Sequence, residues 1–152
     1  TTRTTTVSTG RTMSYLEEFK QELEKDEGRV KHAYQDSLGY WTIGVGRLID
    51  KRLGGGLRDD EINYLLNNDV EEALITAQKL VKNFNALTSN RKVVILHLAF
   101  NLGYTKLAKF VNTLKAVNEG RWEDAAQGME NSLWYKQVGN RSKRLVKLMR
   151  EG

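Results

Sequence analysis

The chain has 152 residues, 39% of them hydrophobic, and a formal net charge of +5, enough to build one compact unit with its own core. It contains no cysteine and two histidines, which excludes disulfide staples and the usual metal-ligand spacings and leaves the redox compartment open. No stretch reaches the 18 or so apolar residues of a membrane span, and the excess positive charge favours an anionic partner (nucleic acid, membrane or cell envelope) without choosing among them.

Residues 1–12 form a threonine-rich lead, "TTRTTTVSTGRT", read as a flexible or artificially appended segment, with Met13 the natural start of a single domain over 13–152. The lead lacks the apolar core of a signal peptide, so export by the general secretion route is not expected. "SYLEEFKQELEKDEG" reads as a helix ended by Gly28 at the left-handed position. Leu16, Phe19 and Leu23 make its apolar stripe, and Glu27 projects within about 20° of Leu16 at 100° per residue. An acid on that stripe, at a helix C-terminus, sits where burial and the macrodipole both disfavour the charged form.

The period then changes to two. "DSLG" is a turn signature with Asp36 first, and "YWTIGVG" alternates. Trp41, Ile43 and Val45 point one way; Thr42 shares the other, open face with Tyr40, Gly44 and Gly46. Glycines on that face suit close approach of a ligand or another backbone. "LGGG" at 53–56 breaks the chain. A long helix over about 60–82 follows, with Ile62, Leu65, Leu66, Ala73, Ala77 and Leu80 on one stripe. "RKVVILHLAFNLG" is apolar nearly all round, as a central buried helix is. Shorter helices are expected over 106–119, 121–130 and 139–150.

Taken singly, each polar residue here has a plain account: Glu27 as a helix-end acid paired with Arg141 or Arg144, Asp36 as a turn cap, Thr42 as strand propensity. Together, two carboxyls in contrasting surroundings and a hydroxyl on the next strand match the needs of glycosidic hydrolysis. One acid donates a proton to the leaving oxygen while the other works ionised from the opposite face.

"DEGRVKHAYQDSLGYWTIGVGR" resembles the catalytic signature of the phage-type lysozymes, glycoside hydrolase family 24. "NNDVEEA", "AFNLG", "KFVNTL", "GRWEDAA" and "SLWYKQVGNRSKR" follow in that family's order. The resemblance implies a mostly helical α+β fold with a β-lobe at about 29–57 and a helical lobe made of 13–28 and 58–152. It also implies a muramidase cutting the β-1,4 bond between N-acetylmuramic acid and N-acetylglucosamine with inversion. Glu27 would be the general acid, Asp36 the second carboxylate and Thr42 the water-placing hydroxyl. Leu48, Phe100 and Thr113 match substrate-contacting positions, and Arg141 matches the arginine that pairs with the catalytic glutamate. Arg47 stands where the family usually has histidine, and it is expected to pair with Asp69 as a structural, lobe-positioning contact.

The implied partner is bacterial peptidoglycan, with no cofactor, no metal, no nucleic acid and no stable membrane insertion. The implied protein is a monomer, held in the host cytoplasm until a membrane lesion such as a holin's gives access to the wall. A catalytically silent wall-binding or tail module on the same fold is the rival. A 48–59 segment shorter than is usual in the family and the threonine-rich lead keep it in play; Gly128, where the family offers asparagine, removes one expected substrate hydrogen bond. His97 reads as a core histidine, and Trp122, Trp134 and Tyr135 read as packing.

Overall fold

The computed structural model describes residues 14–152; the threonine-rich lead and Met13 lie outside the described residues. The fold is mostly helical α+β, with seven α-helices and one three-stranded antiparallel sheet among the described residues. The chain divides into two compact units, one ending at Glu61 and the other running from Ile62 to Gly152.

The first unit opens with α1 (Tyr15–Glu27). Ser14 caps it by accepting the Glu17 N–H at 3.2 Å, and Glu17 and Glu18 occupy the first turn, where negative charge suits the macrodipole. Gly28 ends it as expected, but with φ 81° and ψ 174°, an extended positive-φ exit in place of the left-handed helical one. The expected apolar stripe does not enter a core: no residue of α1 is buried, and Leu16 and Phe19 are more than half exposed.

Strands β1 (Val30–Gln35), β2 (Trp41–Gly44) and β3 (Arg47–Leu48) lie in the order β1-β2-β3. Tyr34 pairs with Thr42 and Gln35 with Trp41 across the first hairpin, with an irregularity between Val30 and Tyr34. Thr42 and Leu48 pair across the second. The short 48–59 segment contains a 3-10 turn, Lys51–Leu53, capped by Asp50.

Helix α2 (Asp59–Leu80) begins in the last residues of the first unit and continues through the second. Its expected stripe holds only in its later half. Ala73 and Ala77 are buried, while Ile62, Leu65 and Leu66 are about half exposed. The second unit adds α3 (Ser89–Ala108), α4 (Val111–Asn118), α5 (Trp122–Glu130), α6 (Leu133–Val138) and α7 (Asn140–Glu151). Thr88 caps α3 through the Arg91 N–H at 3.2 Å. Gly103, with φ 74° and ψ 172°, breaks α3 near its end, so the helix expected over 106–119 is divided between the tail of α3 and α4.

Val94, Ile95 and Leu98 of α3 meet Leu145 and Met149 of α7, Val117 of α4 and Ala125, Ala126 and Met129 of α5 in one core. Trp134 closes it at 3% exposure.

Candidate active site

The first unit carries both acids, Glu27 at the end of α1 and Asp36 at the turn joining β1 to β2. Glu27 is the last residue of α1, and its side chain rests on Gly46, in the turn joining β2 to β3. A Cβ built on Gly46 would lie 2.9 Å from Glu27 Cδ and Oε2, so only a glycine leaves room for the carboxyl. Gly46 also has φ +67°, a conformation that glycine adopts without strain. Glu27 itself is exposed. The desolvation expected from its place on the helix stripe is therefore not found, for the reason that the stripe itself faces solvent.

Asp36 is half-buried at the head of the first hairpin turn. Its Oδ1 accepts the Leu38 N–H at 2.9 Å and the Tyr40 N–H at 2.8 Å. Its backbone closes the turn through Asp36 N–H to Tyr40 O and Gly39 N–H to Asp36 O, both 2.9 Å. Both side-chain bonds fall on one oxygen, so a single carboxylate caps the turn and keeps Oδ2 for other chemistry.

Thr42 sits in the central strand at 5% exposure, and its hydroxyl donates to Tyr40 O at 3.0 Å. The open face expected for it is covered, but the hydroxyl oxygen still has lone pairs to accept with. Leu48 is its half-buried cross-strand partner.

Within the first unit Arg47 has an acidic partner in Glu61. Glu61 engages the guanidinium with both oxygens, at 2.8 Å to Nη1 and 2.7 Å to Nη2. Glu61 Oε1 also accepts the Arg58 N–H at 2.8 Å, the reciprocal half of a capping box at the start of α2. The Arg47 hydrogen bonds, more than any other cause, pull the Glu61 carboxyl down to about 2. Asp69, on α2 in the second unit, is exposed.

In the second unit Asp69 and Phe100 line one open cavity of about 550 Å³ together with Glu72, Thr76 and Tyr104. Two aromatic rings with carboxylates beside them are the chemistry of a sugar-binding wall, rings covering apolar C–H faces and acids accepting from hydroxyls. Thr113 is buried at 6% exposure, and its hydroxyl fills the space a side chain at Gly128 would need. The lack of a side chain at Gly128 is thus what leaves room for the Thr113 hydroxyl.

Arg141 is exposed and reaches Asn101 Oδ1 at 3.5 Å; the same oxygen accepts the Trp134 indole N–H at 3.2 Å. His97 is half-buried, and burial, then the charges of Arg141 and Arg144, push its pKa below the ordinary histidine value.

Residues 24–151 match the phage lysozyme family. The chain belongs to that family. Two probable T4-type lysozymes of Dictyostelium discoideum are 29% and 31% identical to it, each match covering 88% of this chain and 94% of the relative. The pre-baseplate central spike protein Gp5 of Enterobacteria phage T4 is 31% identical over 86% of this chain and 27% of Gp5.

The chain is accordingly a member of a glycoside hydrolase family, and no helix among the described residues is long and apolar enough to cross a membrane. Several residues of the first unit's turns and of the second unit's cavity escape sequence reasoning. Asp50 and Arg52 look like surface charges in "LIDKR", and Glu61 gives itself away only as an acid three residues after Arg58 in a helix's first turn. Tyr104 has no periodic signal, because the break at Gly103 interrupts the helix just before it.

Proposed function

We propose that the protein is a muramidase hydrolysing the β-1,4 bond between N-acetylmuramic acid and N-acetylglucosamine, with Glu27 as general acid and Asp36 and Thr42 activating water. The observation that carries this reading is the seating of the Glu27 carboxyl on the Gly46 turn of the strands that also bear Asp36 and Thr42. Glu27 protonates the glycosidic oxygen as the bond to the anomeric carbon breaks. Asp36, ionised, takes a proton from a water oriented by the Thr42 hydroxyl, and that water attacks the opposite face. No covalent sugar–enzyme bond forms, and the anomeric centre inverts.

Leu48 and Phe100 supply apolar contact to the saccharide, and Arg141 supplies a cation for carboxylate partners. Thr113 shapes its surroundings from beneath, since its hydroxyl is spent on packing over Gly128. The net charge of +5 favours approach to an anionic envelope. The protein acts as a monomer without cofactor, in lysis of a bacterial host, reaching the wall from the cytoplasm through a holin-type lesion.

A silent wall-binding or spike module has one observation in its favour, the match to a central spike protein. Digestion of purified Gram-negative peptidoglycan, with fragments read by mass spectrometry, separates the two. The expected result is muropeptides ending in reducing N-acetylmuramic acid from the native chain and none from Glu27→Gln. Asp36→Asn should lose at least 100-fold in rate, in line with the ~10²–10⁴ contributed by acid–base groups. Binding without fragments from the native chain would make it the silent module.

A further inference from the structure

Asp50 is a buried acid that the proposed chemistry does not use. Its side chain is 3% exposed while that of its partner Arg52 is 63% exposed, so the pair is anchored at one end. The Asp50 carboxylate accepts four hydrogen bonds: from the Trp41 N–H at 3.1 Å, and from Arg52 N–H, Nε and Nη2 at 2.9, 2.9 and 2.7 Å. Those bonds, the Arg52 side chain first, hold the Asp50 carboxyl well below the usual carboxylate range. Moving Arg52 away would leave a buried charge with half its partners gone.

Arg52 also reaches outward. Its Nη2 donates to Gly39 O at 2.9 Å, and the guanidinium lies 5.0 Å over the Tyr40 ring. Gly39 and Tyr40 complete the turn that Asp36 opens, and the Tyr40 N–H is one of the two donors that orient Asp36 Oδ1. Trp41, held by Asp50, is the next residue. Besides these contacts, its own backbone bonds, the Asp36 cap and the Thr42 hydroxyl on Tyr40 O, the turn has Gln35 Nε2, which donates to Gly39 O at 3.3 Å from an exposed side chain. It has no apolar cover: Leu38 at its tip is 78% exposed, and no apolar side chain among the described residues of this unit is buried. An exposed tip without apolar cover opens easily unless side chains pin it.

We infer that Asp50 and Arg52 are positioning residues, a clamp that holds residues 36–41 in the conformation that aims the Asp36 carboxylate. The inference rests on the reading of Asp36 as the water-activating acid. It also gives the short 48–59 segment a task. Coiling directly after β3 into the Lys51–Leu53 turn lands the Arg52 fork on the hairpin tip. A lysine has no planar fork, and so could not hold the Asp50 carboxylate and the Gly39 carbonyl at once.

The test combines turnover on soluble peptidoglycan fragments with amide hydrogen exchange, for the native chain, Arg52→Gln, Arg52→Lys and Asp36→Asn. Arg52→Gln should lower kcat about tenfold, since small misplacements of a reacting group carry costs of that order, with KM changed less than twofold. Exchange at Leu38 and Tyr40 should quicken while the Tyr34–Thr42 ladder keeps its protection, and Arg52→Lys should rescue neither. Unchanged kcat in Arg52→Gln, or a fall in kcat with Leu38 and Tyr40 still protected, would overturn the clamp. Native turnover in Asp36→Asn would instead remove the role given to Asp36, leaving the exchange data to report on the clamp alone.

Discussion

At Gly46 the backbone comes close enough to the Glu27 carboxyl that a single methyl group would collide with it. Gly46→Ala must therefore push the carboxyl aside and also place a Cβ at φ +67°, a conformation costing about 1 kcal/mol for an alanine. A shift of several tenths of an ångström in the acid should lower kcat roughly 10- to 100-fold, with substrate affinity nearly unchanged. Steady-state kinetics beside a thermal melt would separate that loss from the small loss of stability. The "TIGVG" run points to a close approach at this position, but nothing in it says that the group approaching is Glu27, nineteen residues earlier in the chain. The same limit explains Thr42. Alternation assigns it to a face of the strand, while which face is covered depends on neighbours that no local pattern names. Asp36 was the most legible of the three, because a turn-capping aspartate is defined by residues within four positions of itself.

The hairpin element is held by backbone ladders and two carboxylate–arginine pairs in place of an apolar core. Glu61 is lowered to about 2 from 4.5, and Asp50 is lowered as well. A carboxyl whose folded value lies below its unfolded one adds stability that is complete above the unfolded value. That stability drains away as pH falls toward the folded one. The first unit should accordingly lose structure between about pH 4.5 and 2, ahead of the helical unit, whose interior is apolar. Amide exchange or hairpin NMR shifts across that range should show it, and Glu61→Gln should flatten the pH dependence. Elements of this kind were half legible. Long periodic helices and the Asp36 turn could be placed, but α6 is six residues long with only Ser132 as a start signal. The Arg47–Glu61 pair joins residues 14 positions apart across a loop, and no local pattern announces it.

Across the whole molecule the apolar interior belongs to the second unit, and α3 supplies much of it. Leu98 is fully buried in that core. Leu98→Ala should cost roughly 2–5 kcal/mol and lower the melting temperature of the helical unit by about 8 °C or more, at about 4–8 °C per kcal/mol for a unit of this size. Calorimetry would resolve it, and an unchanged melt would mean the core is not the one described. The final helix also matters to that core. Leu145, Val146 and Met149 of α7 are buried, and Arg91 of α3 donates to Met149 O at 2.9 Å and Arg150 O at 3.3 Å while stacking 3.9 Å from the Trp122 ring. On the ribosome, chains gain their domains from the N-terminal side as residues emerge. The hairpin bearing Asp36 is thus translated long before the helix that closes the helical core, and a chain stopped short of Leu145 would leave the exit tunnel with that core open and exposed to proteases.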